Sequence, residues 1–333
     1  MCRVIRMSNV SLIEQLDGAV EAIIANPDAP LPSMDASVAG LLRVAAELRD
    51  LPHPEFKTRL KADLLERSRS MTTAAVKPVR EGFHTVTPYL IVQDAAELID
   101  FVKNAFDAEE LYRGTGSAGG IHAEVKIGDS MIMIGGGAVL DRATMPTGLH
   151  LYVKDADAVY ERAVQSGATS LYGPVDQVYG DREASVKDLS GNHWYIATHK
   201  PTGHMPEGLR TVTPYLHPRG AARMIDFLKQ AFGAEEKSRY QSPDGVIHHA
   251  VVMIGDSMIE MGEARGEWQP MATTFYMYVD DVDSLYRRAL AAGAASRSEP
   301  ANQPYGDRVA GVADPFDNVW YIATRKGEAQ PQE

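Results

Sequence analysis

An internal repeat is the feature that most constrains this chain. Residues 85–90, Thr-Val-Thr-Pro-Tyr-Leu, recur letter for letter at 211–216, an offset of 126 residues (211 − 85). Further matches follow in the same order: Ile-Gly-Asp-Ser-Met at 127–131 and 254–258, Tyr-Gly-Asp-Arg at 179–182 and 305–308, and Trp-Tyr-Ile-Ala-Thr at 194–198 and 320–324. Collinear matches of this length indicate a duplicated domain, so a fold that suits one copy must suit the other.

Each copy alternates short strands and helices twice. In the first copy a β run at 85–92 precedes a helix opened by Asp94, and short strands follow at 110–113, 121–127 and 130–135. A strand at 149–153, a helix at 155–167 and three more strands ending at 192–198 repeat this pattern. Gly167 and Gly293 stand where the C-terminus of a helix favours a left-handed residue. Each copy is therefore predicted to be βαβββ twice over, an α+β arrangement.

The N-terminal residues differ from the repeats. Helical apolar spacing at 12–25, 37–51 and 54–67 predicts a small all-α module, and 68–81 is typical of a linker. Three short helices form a thin core, which favours an oligomerisation or capping appendage over a protein-docking module. We expect a helical N-terminal module and linker at 1–76, a first repeat domain at 77–204, and a second at 205–333 with a short polar tail.

Composition narrows the classes of partner. The net charge of −12 and the pI near 5.3 disfavour a nucleic-acid binder, because neutralising phosphates requires clustered Lys and Arg. The single cysteine, Cys2, cannot form an internal disulfide, and no signal peptide or apolar run of about 20 residues is present. We therefore expect a cytoplasmic protein with a small-molecule partner and no nucleic-acid or membrane partner; a homo-oligomer stays open.

Two motifs point to a known family. They are Val-Asp-Asp-Val-Asp at 279–283 and Asp-Pro-Phe-Asp-Asn at 314–318, with weaker counterparts at 153–157 and 188–192. Over 85–200 and 211–326 the chain resembles the vicinal-oxygen-chelate superfamily, which includes glyoxalase I, extradiol dioxygenases, fosfomycin-resistance enzymes and bleomycin-binding proteins. The resemblance implies two tandem domains, each a pair of βαβββ modules with a ligand cleft on the face opposite the helices.

Strand alternation assigns side chains to that face. In the strand at 121–127 the odd-numbered positions are apolar, so His122 and Glu124 are predicted to face the cleft. Tyr89 and the same reasoning on other strands add the following cleft residues: His150, Tyr152, His193 and Tyr195 in the first copy, and Tyr215, His217, His249, Glu260, Tyr276, Tyr278 and Tyr321 in the second.

The resemblance also implies where a metal would bind. Metal-dependent members use His, Glu, His and Glu on the first, fourth, fifth and eighth strands. These positions hold Thr87, Met133, Gly148 and Tyr195 in the first copy and Thr213, Glu260, Thr274 and Tyr321 in the second. One carboxylate cannot hold a divalent cation, so we expect no metal and no other cofactor. The alternative is a non-standard site built from His122, Glu124, His150 and His193.

Two further features are candidates for chemistry. Arg182 and Arg308, in the repeated Tyr-Gly-Asp-Arg, are predicted to lie in the loop before the seventh strand of each copy. Each presents the planar fork that binds carboxylate or phosphate; the competing interpretation is a structural turn in which Asp pairs with Arg. Glu260 is the catalytic candidate, because burial would raise its pKa and make it a general base, with His249 near it. The simpler interpretation is that Glu260 pairs with Arg308 or reaches solvent.

These residues predict a binding protein more than an enzyme. Tyr and Met side chains in the clefts suit an aromatic ligand, although such residues also fill small barrels. We expect a protein resembling bleomycin-resistance proteins that binds an aromatic or anionic ligand. The alternative is a lyase, isomerase or dioxygenase that uses a non-standard metal site or Glu260 as base.

A third outcome is that only one copy is functional. The copies differ most in the predicted clefts, with Glu124 against Val251, Met133 against Glu260 and His150 against Tyr276. This divergence predicts different ligand preferences for the two copies.

Overall fold

The structure is a computed structural model that describes residues 79–117, 119–137, 146–200, 208–266 and 268–326. The chain divides into two compact units, residues 1–75 and 76–333, and both repeats belong to the second unit. The predicted helical module at residues 1–76 lies outside the described residues.

Each copy contains the predicted βαβββ pattern twice. The first copy comprises β1 Val86–Val92, α1 Ala95–Phe106, β2 Glu109–Thr115, β3 Ile121–Ile127, β4 Ser130–Gly136, β5 Gly148–Tyr152, α2 Ala156–Gln165, β6 Thr169–Asp176, β7 Asp181–Lys187 and β8 His193–His199. The second comprises β9 Val212–Leu216, α3 Ala221–Phe232, β10 Glu235–Gln241, β11 Ile247–Ile254, β12 Ser257–Met261, β13 Thr274–Tyr278, α4 Val282–Ala291, β14 Ala295–Asn302, β15 Asp307–Ala313 and β16 Val319–Arg325. None of the helices in the described ranges is long and apolar enough to cross a bilayer.

Local sequence explains where the helices begin and end. Asp94, Asp155 and Asp281 cap α1, α2 and α4, each accepting a hydrogen bond from a backbone N–H three residues ahead. After α2 and α4, Gly167 and Gly293 adopt φ of +102° and +105°, which confirms the predicted left-handed positions.

The two copies exchange halves. One eight-stranded sheet has the order β14-β15-β16-β13-β1-β4-β3-β2, and the other has the order β10-β11-β12-β9-β5-β8-β7-β6. We call them sheet 1 and sheet 2. In sheet 1 the antiparallel pairing of β1 with β13 joins the copies, and in sheet 2 the pairing of β5 with β9 does so. Each sheet therefore combines the first half of one copy with the second half of the other.

The repeated motifs hold this exchange together. The backbone N–H of Thr211 donates to Asp129 Oδ1 at 2.9 Å, and that of Val212 donates to Ser130 Oγ at 2.9 Å. The equivalent bonds run from Thr85 to Asp256 (2.8 Å) and from Val86 to Ser257 (2.9 Å). Two of the shared motifs of the sequence, Thr-Val-Thr-Pro-Tyr-Leu and Ile-Gly-Asp-Ser-Met, are thus hydrogen-bonded to each other across the copies.

The apolar cores lie on the helix side of the sheets. Helices α1 and α2 cover one core and α3 and α4 the other, with Trp194 and Trp320 fully buried in them. Each indole N–H donates to a buried aspartate, Asp188 (2.8 Å) or Asp314 (2.9 Å). These aspartates also accept from the backbone and side-chain amides of the asparagine four residues on, so this family motif stabilises the turn before the last strand.

Candidate functional site

The faces opposite the helices form two clefts. The first cleft, on sheet 1, contains these predicted residues: Tyr89, His122, Glu124, Tyr276, Tyr278 and Tyr321. The second cleft, on sheet 2, contains the others: His150, Tyr152, His193, Tyr195, Tyr215, His217, His249 and Glu260. Strand alternation therefore sorted the faces correctly. The half-exchange splits each copy between two sheets, so the residues predicted for one copy are divided between the two clefts.

A chain of charged side chains crosses the second cleft. His150 Nδ1 donates to Glu260 Oε2 at 2.9 Å, and its Nε2 lies 3.4 Å from Glu183 Oε2. His249 Nε2 lies 3.2 Å from the other Glu260 oxygen. Glu260 is 1% exposed and His150 is 5% exposed, so these charges interact with little solvent between them. Glu260 pairs with histidines, and neither with Arg308 nor with solvent.

The protonation states follow from this geometry. Burial alone would lower the pKa of His150, but Glu260 and Glu183 more than offset it and raise this pKa to about 10. Burial alone would raise the pKa of Glu260, but His150 and His249 lower it to about 2. At neutral pH an imidazolium thus lies between two ionised carboxylates. Burial does act on Glu260 as predicted, but the net rise in its pKa does not occur, because His150 and His249 outweigh the effect of burial.

Two tyrosines fix the second carboxylate. Tyr172 Oη donates to Glu183 Oε1 at 2.5 Å, and Tyr179 Oη donates to Glu183 Oε2 at 3.1 Å. Sequence reasoning missed Glu183 and both tyrosines, because Tyr-Gly-Asp-Arg was assigned to a loop. Alternation along β7 would have placed Glu183 in the cleft, since the strand already begins at Asp181.

Aromatic rings line one side of the second cleft. The His217 ring stacks on Trp268, with centroids 5.7 Å apart and planes at 11°, and the Tyr195 ring is also 5.7 Å from Trp268. Burial lowers the pKa of His217 to about 4, so its ring is neutral, and its Nε2 lies 2.9 Å from Tyr195 Oη. Trp268 lies between β12 and β13, outside the repeated motifs, so the comparison of the copies did not indicate it as a cleft residue.

Some buried polar atoms of the second cleft lack partners. Among the described residues, Ser185 Oγ, His193 Nδ1 and His217 Nδ1 make no hydrogen bond, and Ser185 is 0% exposed. Buried polar atoms in proteins are normally paired, so an unpaired set beside an aromatic wall is suited to a bound polar group.

The first cleft pairs its carboxylate differently. Glu124 accepts two hydrogen bonds from Arg80, at 2.5 and 2.6 Å, and the guanidinium lies 4.9 Å from the centre of the Phe83 ring. Phe83 packs edge-on against Tyr278, with centroids 6.0 Å apart. The segment before β1, which the sequence assigned in part to a linker, therefore lies on this cleft.

The two motif arginines lie outside the clefts. Arg182 and Arg308 face the helices, where they donate to Asp157 at 2.5 and 2.6 Å and to Asp283 at 2.7 Å. Of the two interpretations that the sequence left open for these arginines, ligand binding in a cleft does not fit this position, because the residues on either side of each arginine on its strand point to the opposite face. The motif aspartate does not pair with its neighbouring arginine either, since Asp307 accepts from Tyr276 Oη at 2.8 Å.

The residues present do not fit the family's metal site. The half-exchange regroups the standard positions as Thr87, Met133, Thr274 and Tyr321 in sheet 1 and Gly148, Tyr195, Thr213 and Glu260 in sheet 2. Glu260 is still the only matching ligand. At Gly148 a Cβ would lie 2.5 Å from the carbonyl oxygen of Tyr215, so no ligating side chain fits there.

The non-standard metal set is also divided. His122 and Glu124 lie in the first cleft, whereas His150 and His193 lie in the second. Within the described ranges, no group of three or more His, Cys, Asp or Glu side chains is arranged to hold a metal ion. The alternative built from these four residues was wrong, because it assumed that one copy closes one cleft.

Comparison with known proteins assigns the family. The model of the Glyoxalase/Bleomycin resistance protein/Dioxygenase superfamily matches residues 82–196 and 218–322, once in each copy. The chain belongs to this superfamily, which confirms the resemblance drawn from its motifs.

Individual relatives agree with this assignment. Uncharacterized proteins of Mycobacterium bovis and Mycobacterium tuberculosis are each 39% identical over 122 residues, covering 33% of this chain and 80% and 72% of their own lengths. The crystal structure of glyoxalase I from Zea mays superimposes with a TM-score of 0.57 at 14% identity, covering 72% of this chain and 92% of that chain. At this identity the similarity shows a shared fold.

Proposed function

We propose that this chain is a small-molecule-binding member of the superfamily, and that its second cleft takes an aromatic ligand that is neutral or cationic and donates hydrogen bonds. One observation carries the proposal. Two ionised carboxylates, Glu183 and Glu260, share a single imidazolium, His150, beside the aromatic wall at Trp268.

The aromatic wall favours a planar ligand. Trp268 contacts the rings of Tyr172, Tyr195 and His217 at centroid distances of 6.3, 5.7 and 5.7 Å. Offset and edge-on arrangements at such distances are attractive, and a ligand ring can extend the same cluster. Ser185 Oγ and His217 Nδ1 are unpaired polar atoms that would orient such a ring.

The charge balance sets the polar part of the ligand. Glu183 and Glu260 together carry one more charge than His150 neutralises, and the motif arginines face the helices. An anion entering this cleft would meet uncompensated negative charge at low dielectric, whereas a cation or an N–H donor would be stabilised. Of the two ligand classes expected from the sequence, the geometry supports the aromatic one and disfavours the anionic one.

The same geometry disfavours Glu260 as a general base. Both of its oxygens already contact imidazole nitrogens, and its pKa is lowered to about 2. A carboxylate with so low a pKa is a weak proton acceptor at neutral pH, far from the matched pKa that general base catalysis requires. Binding is therefore the better supported function.

Tryptophan fluorescence offers a direct test. Trp194 and Trp320 are fully buried in the two cores, so Trp268 is the tryptophan that a cleft ligand would contact. The full chain is titrated with benzylamine, benzyl alcohol and benzoate, three single-ring probes that differ in charge. We expect saturable changes in emission, tightest for benzylamine and weakest for benzoate, with millimolar dissociation constants because the probes are small.

Variants localise the signal. Trp268→Phe removes the fluorescence change, Glu183→Gln reduces the preference for benzylamine over benzyl alcohol, and Tyr321→Phe, in the other cleft, leaves the titration unchanged. Tightest binding of benzoate, or no saturable change with any of the three probes, would contradict the proposal.

A further inference from the structure

We propose that the first cleft is a second ligand site, selective for a guanidinium or amidinium cation attached to an apolar group, and that residues 79–83 occupy it as an internal ligand. The site uses other residues than the second cleft does, so it stands independently of the function proposed above.

The cation position is built around a carboxylate in the sheet. Glu124 lies on β3 and is 4% exposed, whereas the side chain of its partner Arg80 is 43% exposed. The two contacts, at 2.5 and 2.6 Å, join each terminal nitrogen to its own oxygen, which is the fork geometry that guanidinium and amidinium groups share. The carboxylate is held by the sheet, and the cation comes from a segment outside it.

An apolar position adjoins the cation position. Phe83 is buried in a cluster that includes Met131 and Met133 of β4, and its ring packs edge-on against Tyr278 of β13. The Phe83 N–H donates to the Arg80 carbonyl at 3.0 Å, and this turn brings the guanidinium and the ring together. The segment therefore presents a cation and a ring side by side, as a compact aromatic amidine would.

The second copy shows that the fold does not need this pair. In sheet 1 the register aligns Glu124 with Met133, and in sheet 2 the equivalent register aligns Val251 with Glu260. Val251 thus replaces Glu124 at the same place in the sheet. At the offset of the repeat, Pro206 and Leu209 replace Arg80 and Phe83. Since sheet 2 forms without either partner, Glu124 and Arg80 serve recognition.

Neighbouring charges also favour a cation in the first cleft. His122 Nε2 lies 3.7 Å from Glu124, and Asp307, on β15, is buried beside Tyr276 and acts electrostatically on Arg80. Without Arg80, His122 at 3.7 Å would be the remaining charged partner of a carboxylate that is 4% exposed. Removing one partner of a buried charge is costly, and a free cation would restore the lost interaction.

The test removes the two side chains of the internal ligand and measures whether a free aromatic amidine binds in their place. The full chain carrying Arg80→Ala and Phe83→Ala, which we call the opened variant, is compared with the same variant carrying Glu124→Gln as well. Unfolding midpoints of these two variants and of the wild type are measured against benzamidine up to about 50 mM, because in the wild type the tethered segment competes at an effective concentration in the millimolar range. We expect benzamidine to raise the unfolding midpoint of the opened variant in a saturable way. Its apparent dissociation constant should be at least about tenfold lower there than in the variant that also carries Glu124→Gln.

Two controls separate the clefts. Benzamidine is an aromatic cation, so it can also enter the second cleft, but that response is common to every variant and is followed by Trp268 emission. Neutral benzamide should raise the unfolding midpoint equally, or not at all, in variants with and without Glu124. Equal midpoint responses with and without Glu124 would overturn the ligand site, and equal responses of the wild type and the opened variant would overturn the internal ligand.

A single substitution, Arg80→Gln, replaces the opened variant if the latter does not fold. If the opened variant is not native by circular dichroism, Arg80→Gln alone is titrated with methylguanidine, which fills only the cation position. A saturable rise that Glu124→Gln abolishes supports the proposal, and its absence rejects it.

Discussion

The two clefts are formed by equivalent strands, but each pairs its buried carboxylate in a different way. In the second cleft Glu260 pairs with His150, which belongs to the neighbouring part of the same sheet. In the first cleft Glu124 pairs with Arg80, which belongs to a segment outside the sheet. A partner within the sheet can leave only if the sheet unfolds, whereas a partner on a segment can be exchanged. The Glu260–His150 pair is therefore a permanent part of the fold, whereas the partner of Glu124 can be replaced by another cation.

The largest expected effect is on stability, and it distinguishes the two carboxylates. Glu260→Gln leaves the His150 imidazolium without a full partner in a buried site, so we expect a loss of about 3–5 kcal/mol. Glu124→Gln keeps a hydrogen-bond acceptor for the partly exposed Arg80, and we expect a loss of about 1 kcal/mol. Urea denaturation of both variants measures the difference. Equal losses would show that the two pairs are energetically alike.

The pH dependence of stability should show the same contrast. The pKa of His150 is raised from 6.5 to about 10, so its contribution is complete below pH 6.5 and is lost as the pH rises toward 10. The stability difference between wild type and His150→Gln should therefore fall by about 3 kcal/mol between about pH 6 and about pH 9. Denaturation across this range measures it.

The control for this pH series is Glu124→Gln. The pKa of Glu124 is lowered, as burial is outweighed by His122 and Arg80, so its contribution is already complete above its usual value of 4.5. Its difference from wild type should stay constant over the same range. A constant difference for His150→Gln as well would mean that His150 is neutral in the folded protein.

A smaller effect should appear in ligand affinity. Trp268→Ala removes the aromatic wall, and the loss for an aromatic amine should be about 0.5–1.5 kcal/mol, or roughly 2- to 12-fold in the dissociation constant. Calorimetry with the wild type, Trp268→Ala and Tyr321→Ala measures it. The first-cleft variant should bind as the wild type does, and a matching loss there would place the ligand in both clefts.

The smallest effects should come from the two motif arginines. Arg182→Ala and Arg308→Ala break exposed ion pairs on the helix side, so ligand affinity should be unchanged and the denaturation midpoint should shift only slightly. A clear loss of affinity in either variant would show that these side chains reach a cleft after all.

Much of the fold follows from local sequence. The Asp caps of α1, α2 and α4, the left-handed Gly167 and Gly293, and the strand spans were all predictable, because capping and backbone conformation depend on a few neighbouring residues. The division of side chains between faces was predictable as well, since alternation along a strand has a period of two.

The errors in the candidate site have identifiable causes. Arg182 was assigned to a loop, although β7 already begins at Asp181. Alternation was therefore not applied to these residues, and it would have placed Arg182 on the helix side and Glu183 in the cleft. Trp268 and Arg80 lie outside the regular strands, where no periodicity predicts the direction of a side chain. The groups that complete both clefts are therefore the ones that sequence reasoning missed.

By itself, the sequence determined the duplication, the βαβββ modules and the cleft-facing side chains. Only the tertiary structure decided that β1 pairs with β13 and β5 with β9, and hence that His150 meets Glu260 across a separation of 110 residues. The physical reason is that the halves of a duplicated domain present the same hydrogen-bonding edges, so strand chemistry cannot choose between a partner in the same copy and one in the other. That choice depends on long-range contacts, such as Asp129 with Thr211 and Asp256 with Thr85, which exist only once the chain has folded.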